Sequence, residues 1–323
     1  MQIGTKCSFN KEQLLCSIQK GLYSLEFHTN YSDFNGDIDF SEIKEILKNN
    51  NISCHAVHAP ISDNKGIKES ISIGTFYREQ RKDNIELFKK CIQVANYLCE
   101  NNTPIVVSHI GTGYCITDND FNNLSKEDIN VYIKEAEEDL NIINNYILEN
   151  YPNTIFVVEN MPSMTYSSDN KLHSWYFGCK EDLPQFIDSL NLSNIKTCLD
   201  ICHLTTTMRI DKLKNPYNDI SLDYYIEKYS KNLGLIHLNN CINLGEKLEW
   251  HSQPFIKNLD EDVKLLTEFF TAIFKYNVNC PISLEINDTD YLKQTNTDKT
   301  IECIEYVLKN IQNKPYQNIK FKK

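Results

Sequence analysis

The chain has 323 residues, 41% of them hydrophobic and 24% charged, and a formal net charge of −11. Such values describe an ordinary globular protein with a substantial core, built as one large domain or two small ones. They exclude a membrane span, since no apolar run is long enough, and they disfavour a protein that coats nucleic acid through positive charge.

Arginine, the usual residue for bidentate phosphate recognition, occurs three times (Arg78, Arg81 and Arg209) against thirty lysines. A cluster of carboxylate ligands would contribute to the negative charge and be offset by bound cations. The opening Met1-Gln2-Ile3-Gly4-Thr5-Lys6 lacks the apolar core of a secretory signal, so the expected location is cytoplasmic. Twelve cysteines are scattered without a C-x-x-C pair, which reads as reduced, buried thiols rather than a disulfide framework.

In chain order, apolar runs predict strands over residues 2–5, 22–27, 52–58, 104–109, 154–159, 196–199, 233–237 and 281–285. Amphipathic spacing predicts helices over 11–20, 41–49, 81–98, 126–148, 180–190, 222–229, 260–276 and 299–311. Caps such as Asp39 or Ser41, and Ser125, precede helix starts. Strict alternation of eight strands and eight helices predicts a single α/β domain over 1–311, a (β/α)8 barrel, followed by a polar, basic tail over 312–323. The longer loops, 111–123, 161–179, 204–221 and 239–259, all follow strand ends and would rim the mouth of the barrel. A doubly wound sheet alternates in the same way. It binds at one switch point, however, and the chain lacks a complete glycine-rich phosphate fingerprint, Gly111-Thr112-Gly113 being short of the third glycine.

Six consecutive predicted strands end in a metal-type ligand: His58, His109, Glu159, Asp200 with His203 close behind, His237, and Glu285. A buried strand has no use for an imidazole or carboxylate at its end, and in a barrel all of these ends face one mouth. Glu249 and His251 complete a roster of five histidines, three glutamates and one aspartate. Mixed imidazole and carboxylate donors suit Zn2+ best, with Mn2+ or Fe2+ also compatible, rather than Ca2+. Any one of these residues read alone is a hydrogen-bonded core or rim residue; the recurrence at six ends argues for the set. His55, on strict alternation, shares a face with Val57 and not with His58, and is expected to be structural. Glu26, His28 and His173 are expected to be structural or substrate-facing, and Cys202 structural.

These residues carry a resemblance that spans nearly the whole chain. The sequence resembles the xylose isomerase-like barrel superfamily, and in its ligands the endonuclease IV family (AP endonuclease family 2). The matching stretches are Ile3-Gly4-Thr5-Lys6-Cys7-Ser8, His58-Ala59-Pro60, Ser108-His109-Ile110-Gly111, Val158-Glu159-Asn160, Cys198-Leu199-Asp200-Ile201-Cys202-His203 and His237-Leu238-Asn239-Asn240. Glu249-Trp250-His251 is similar to that family's acid-x-His element, and Glu285 to its last carboxylate.

The resemblance implies up to three divalent ions. His58, His109 and Glu159 would hold one; Glu159 would bridge to a second, shared with Asp200, His237 and Glu285; His203, Glu249 and His251 would hold the third. It implies hydrolysis of a phosphoester or phosphodiester, in which a hydroxide bridging two metals attacks phosphorus and a further metal neutralises the leaving oxygen. The isomerases and epimerases of the same superfamily imply an alternative. There one ion on Glu159, Asp200, His237 and Glu285 polarises a sugar carbonyl and hydroxyl, and Glu159 and Glu285 shuttle the proton. The substrate is accordingly a phosphorylated small molecule or nucleic acid in the first case and a sugar or sugar phosphate in the second, with no membrane or protein partner implied. The chain departs from endonuclease IV where Lys6 replaces a typical histidine and Glu249-Trp250-His251 replaces Asp-Arg-His. Ser252-Gln253-Pro254-Phe255 also replaces a glycine-rich segment. His251 separates the readings, because a single-metal isomerase has no need of it.

Overall fold

The computed structural model describes residues 1–20, 22–34, 38–65, 70–100, 102–111, 114–115, 126–166, 172–174, 178, 182–217, 221–241 and 251–311. Eight parallel strands close into a barrel: β1 (Ile3–Ser8), β2 (Ser24–His28), β3 (Ser53–His58), β4 (Ile105–His109), β5 (Ile155–Glu159), β6 (Ile195–Asp200), β7 (Leu233–Leu238) and β8 (Ile282–Leu284). Each strand pairs with the next in the chain, and β8 returns to β1. The described helices are α1 (Lys11–Gln19), α2 (Phe40–Asn50), α3 (Arg81–Leu98), α4 (Lys126–Asn150), α5 (Asp182–Leu190), α6 (Ile201–Lys214), α7 (Leu222–Ser230), α8 (Asp260–Lys275) and α9 (Thr295–Asn310). None of them is long and apolar enough to cross a membrane. The tail over 312–323 lies outside the described residues.

Helix α6 corrects the expectation of a loop over 204–221. Its residues Ile201 to Thr207 are all buried, so no polar face marks it in the sequence. Three successive threonines, β-branched and poor in helix propensity, hide it further. The helix forms because Asp200, the last residue of β6, accepts the His203 N–H at 2.7 Å as its N-cap. Helix α9 also begins four residues before the predicted 299. There Asp288, well back in the chain, accepts the N–H groups of Asn296 and Thr297. The rim loops add a small antiparallel sheet of Tyr114–Cys115, Leu172–Ser174 and Met164–Tyr166, which sequence periodicity does not reveal.

Inside the barrel, alternation along the strands collects Ala56, Ile105, Val107, Val157, Cys198 and Leu235 into one small apolar cluster, separate from the larger core of the protein. Two residues onward on the same faces stand His58, His109, Glu159, Asp200 and His237. This period of two lifts the candidate ligands to a common level above an apolar floor.

The same alternation fails at His55. The pairing of β2 with β3 slips between Leu25–Cys54 and Glu26–Ala56, leaving His55 as the extra residue of a bulge. The bulge brings the ring to residues of two other strands, Ser24 on β2 and Ser283 on β8. Gly4 makes room for it, since a Cβ there would lie 2.8 Å from His55 Cε1 and 2.5 Å from the Ser24 carbonyl oxygen. The expectation that His55 is structural holds, but its orientation follows from the bulge and not from alternation.

Candidate metal centre

The ends of β3 to β8 converge as the pattern of ligand residues predicts. Among the described residues the ligand atoms fall into adjacent groups, each with its atoms within 4.8 Å of one another. One group is His58, His109 and Glu159; a second is Glu159, Asp200, His237 and Glu285; a third is Asp200, Cys202 and His251. Glu159 belongs to the first two and Asp200 to the last two. A further combination places Cys198 with Glu159 and His237.

Three of the imidazoles, those of His58, His203 and His237, are held by a hydrogen bond. His58 Nδ1 lies 2.7 Å from the Ala59 carbonyl oxygen, which fixes that nitrogen as the donor and leaves Nε2 facing Glu159 Oε2 at 3.3 Å. His203 Nδ1 meets the Asn160 carbonyl oxygen at 2.8 Å in the same manner. His237 Nε2 donates to Glu26, 3.1 Å from Oε1 and 3.2 Å from Oε2. Its Nδ1 then faces Glu159 Oε2 at 3.1 Å and Glu285 Oε2 at 3.3 Å. His109 Nε2 stands 3.6 Å from Glu159 Oε2. A carboxylate or carbonyl behind an imidazole is the usual support of a metal-binding histidine, because it sets the tautomer and raises the basicity of the free nitrogen.

The carboxylates are held as firmly. The Asp200 N–H donates to Asn160 Oδ1 at 2.6 Å, and Asn239 Nδ2 donates to Asp200 Oδ2 at 2.8 Å. Asn239 also accepts the Cys202 N–H at 3.1 Å, tying β7 to the start of α6. Burial alone would raise Glu159, yet the charges of His237 and His109 outweigh it and hold the acid well below the usual carboxylate range. Burial opposes ionisation of Asp200 too and is overcome by His203 and His251. For Glu285 the same balance is tipped by Lys6. His237 is shifted upward although burial pulls it down, with Cys198, Glu26 and Glu159 opposing. Burial pushes the Cys198 thiol up to about 12 and leaves it uncharged at neutral pH, so the carboxylates are the physical cause.

His251 follows a stretch, 242–250, that lies outside the described residues and includes the predicted ligand Glu249. An isolated bridge between Asn240 and Gln253, with N–H to oxygen distances of 2.9 and 3.1 Å, pins its position to the end of β7. The Asn287 N–H holds the Ser252 carbonyl at 2.7 Å. His251 Nδ1 meets Ser252 Oγ at 2.6 Å, and Nε2 points inward to Asp200 Oδ2 at 3.3 Å. Its ring stacks on that of His203, with centroids 4.8 Å apart.

Two atoms in the middle of this arrangement test whether a metal fits. His237 Nδ1 and Glu285 Oε2 are buried and make no hydrogen bond; their contacts are charge pairs, His237 Nδ1 with Glu159 and Glu285, and Glu285 Oε2 also with Lys6 Nζ at 2.7 Å. A buried polar atom left in this way is costly unless something else satisfies it. A divalent cation would satisfy both, and the imidazole–carboxylate donor set suits Zn2+.

Sequence reasoning missed three supports. Glu26, expected to be structural or substrate-facing without a partner being named, lies on β2 two residues after Ser24, which puts it inside the barrel behind His237. Lys6 was read as a departure from a family pattern, and it proves to pair with Glu285 and, at 3.6 Å, with Glu26. Cys202, expected to be structural, joins Asp200 and His251. His203 falls in none of the groups, although its Nδ1 stands 3.4 Å from Glu159 Oε1.

A family model described as xylose isomerase-like TIM barrel matches residues 19–308. The chain belongs to that family. No protein of curated function matches the chain. Among solved structures it is similar to the apo form of 3-keto-D-glucoside 4-epimerase from E. coli, at 12% identity and a TM-score of 0.65, covering 96% of this chain and 99% of that one. It is similar to an AP endonuclease of family 2 from Brucella melitensis, at 14% identity and a TM-score of 0.60, covering 96% and 98%. A third likeness is to the IOLI protein with a bound zinc atom, at 13% identity and a TM-score of 0.60, covering 95% and 96%. At such identities the likenesses show the fold, which an epimerase and an AP endonuclease share.

Proposed function

We propose that this xylose isomerase-like barrel is a metal-dependent phosphoester hydrolase with a trinuclear centre. The observation that carries the reading is the chain of shared carboxylates: Glu159 links the first ligand group to the second, and Asp200 links the second to the third. A single ion needs only one such group. His251, half-buried and turned toward Asp200, supports the third locus. Glu249, the remaining ligand implied by the resemblance, is retained in the proposal.

Bound divalent ions would supply an activated water and positive charge beside the phosphoryl oxygens. The residues do the rest. Ala59, Asn160 and Glu26 fix the tautomers of His58, His203 and His237, so the donor nitrogens are aimed before anything binds. Asn160 and Asn239 clamp Asp200, and the apolar cluster below excludes water from the floor. Glu159 and Glu285 stay ionised, the state that a metal requires.

One observation favours a second reading. Glu159, Asp200, His237 and Glu285 form a complete four-ligand group by themselves, which is what a mononuclear sugar or sugar phosphate epimerase would use, with Glu159 and Glu285 as acid and base. A panel of phosphate esters and ketoses, run against wild type and His251→Ala, separates the two. Hydrolysis should release phosphate and be abolished in His251→Ala. Ketose epimerisation that survives His251→Ala and is lost in Glu159→Gln and Glu285→Gln would replace the hydrolase reading.

A further inference from the structure

Lys6 has no part in holding a metal, yet it sits in the centre of the site. It lies on β1, whose register beside β2 sets it opposite Glu26. Its ammonium stands 2.7 Å from Glu285 Oε2 and 3.6 Å from Glu26 Oε1, and the side chain is 12% exposed. The same Glu285 oxygen is 3.3 Å from His237 Nδ1, so the ammonium is one carboxylate away from the second ligand group.

A lysine that only neutralised buried acids would be closed off by them. Lys6 instead lines a cavity of about 600 Å³ between the loops after β1 and β8, together with Ser8, His28, Glu285, Asn287 and Tyr291. That volume suits a small molecule and not a duplex. An ammonium has three N–H donors. Glu285 at 2.7 Å and Glu26 at 3.6 Å are its ion-pair partners, and the described residues offer Lys6 no other. Two carboxylate neighbours leave at least one of the three donors without an acceptor among the described residues, in a residue that lines the cavity. Among the described residues lining it, Lys6 supplies the lone ammonium. Of the acids there, Asp288 is spent on the Asn296 and Thr297 N–H groups and the Thr297 hydroxyl, and Glu12 is exposed on the first turn of α1.

We infer that Lys6 is a substrate-contacting residue: its ammonium donates to an anionic oxygen of a small oxyanionic substrate, such as a phosphate monoester, seated in the cavity between the β1 and β8 loops and reaching the ligand groups past Glu285. Lys6 acts as a fixed positive charge, anchored by Glu285 and Glu26, beside the second ligand group. The inference rests on the metal-dependent reading above and adds the size and charge of the substrate.

The test uses inorganic phosphate as the probe. Zinc-loaded full-length protein, freed of unbound metal, is titrated calorimetrically as wild type, Lys6→Met and Lys6→Arg, with the metal content of each sample measured. Phosphate should bind wild type, bind Lys6→Met at least tenfold more weakly at unchanged metal content, and bind Lys6→Arg within about threefold of wild type. Phosphate affinity in Lys6→Met within twofold of wild type would overturn the inference, as would failure of wild type to bind phosphate. Metal loss in Lys6→Met would also overturn it, by showing that Lys6 serves only Glu285. A wild-type count of one ion with Lys6-dependent phosphate binding would defeat the trinuclear reading and leave this inference standing.

Discussion

Two histidines inside this barrel show how the same side chain takes two roles. His55, near the floor, has both ring nitrogens occupied, Nδ1 by Ser24 Oγ and Nε2 by Ser283 Oγ, each at 2.7 Å. His237, near the mouth, has Nε2 held by Glu26, while its Nδ1 lies among carboxylates without a hydrogen bond. Both are fully enclosed. The difference is one nitrogen that faces carboxylates instead of a hydroxyl, and it separates a lower part closed by hydrogen bonds from an upper part that we propose binds metal.

Substitutions should separate these parts. The largest effect is expected for Glu159→Gln, which removes the carboxylate shared by two ligand groups. Metal analysis should show at least two of three ions lost, and the thermal midpoint should fall to that of chelator-treated wild type.

His55→Ala should act in the opposite sense. It leaves two buried hydroxyls and a cavity, at a cost of about 2–4 kcal/mol in urea unfolding, with metal content unchanged. Burial pushes the His55 imidazole from its ordinary 6.5 down to about 4. The folded state therefore prefers the neutral ring, whose stabilisation is fully present above pH 6.5 and is lost as pH falls toward 4. In chelator, wild type should lose stability across that window more steeply than His55→Ala. Equal slopes would remove His55 from the account.

Glu26→Gln should produce a smaller and more selective change. The amide can still accept from His237 but carries no charge, so metal affinity should fall roughly 10–100-fold. An unchanged affinity would mean that Glu26 only fills space.

The barrel itself was legible because its signal repeats. Eight apolar runs alternate with amphipathic ones, and six of the runs end in a ligand residue, all of which the fold brings to one mouth. What stayed hidden depends on contacts between distant residues. His55 turns on a one-residue slip between β2 and β3. Helix α6 is buried along its first two turns and so shows no periodicity. Glu26 and Lys6 gain their roles only when β1, β2, β7 and β8 are set side by side. Glu249 falls in 242–250, outside the described residues, and its place as a ligand stays a proposal.

The central claim is that the upper part of the interior holds three ions joined by Glu159 and Asp200. It is tested most directly by elemental analysis of wild type purified without chelator, alongside His251→Ala. The account predicts close to three divalent ions per chain in wild type and two in His251→Ala. One ion per chain in both proteins would contradict it.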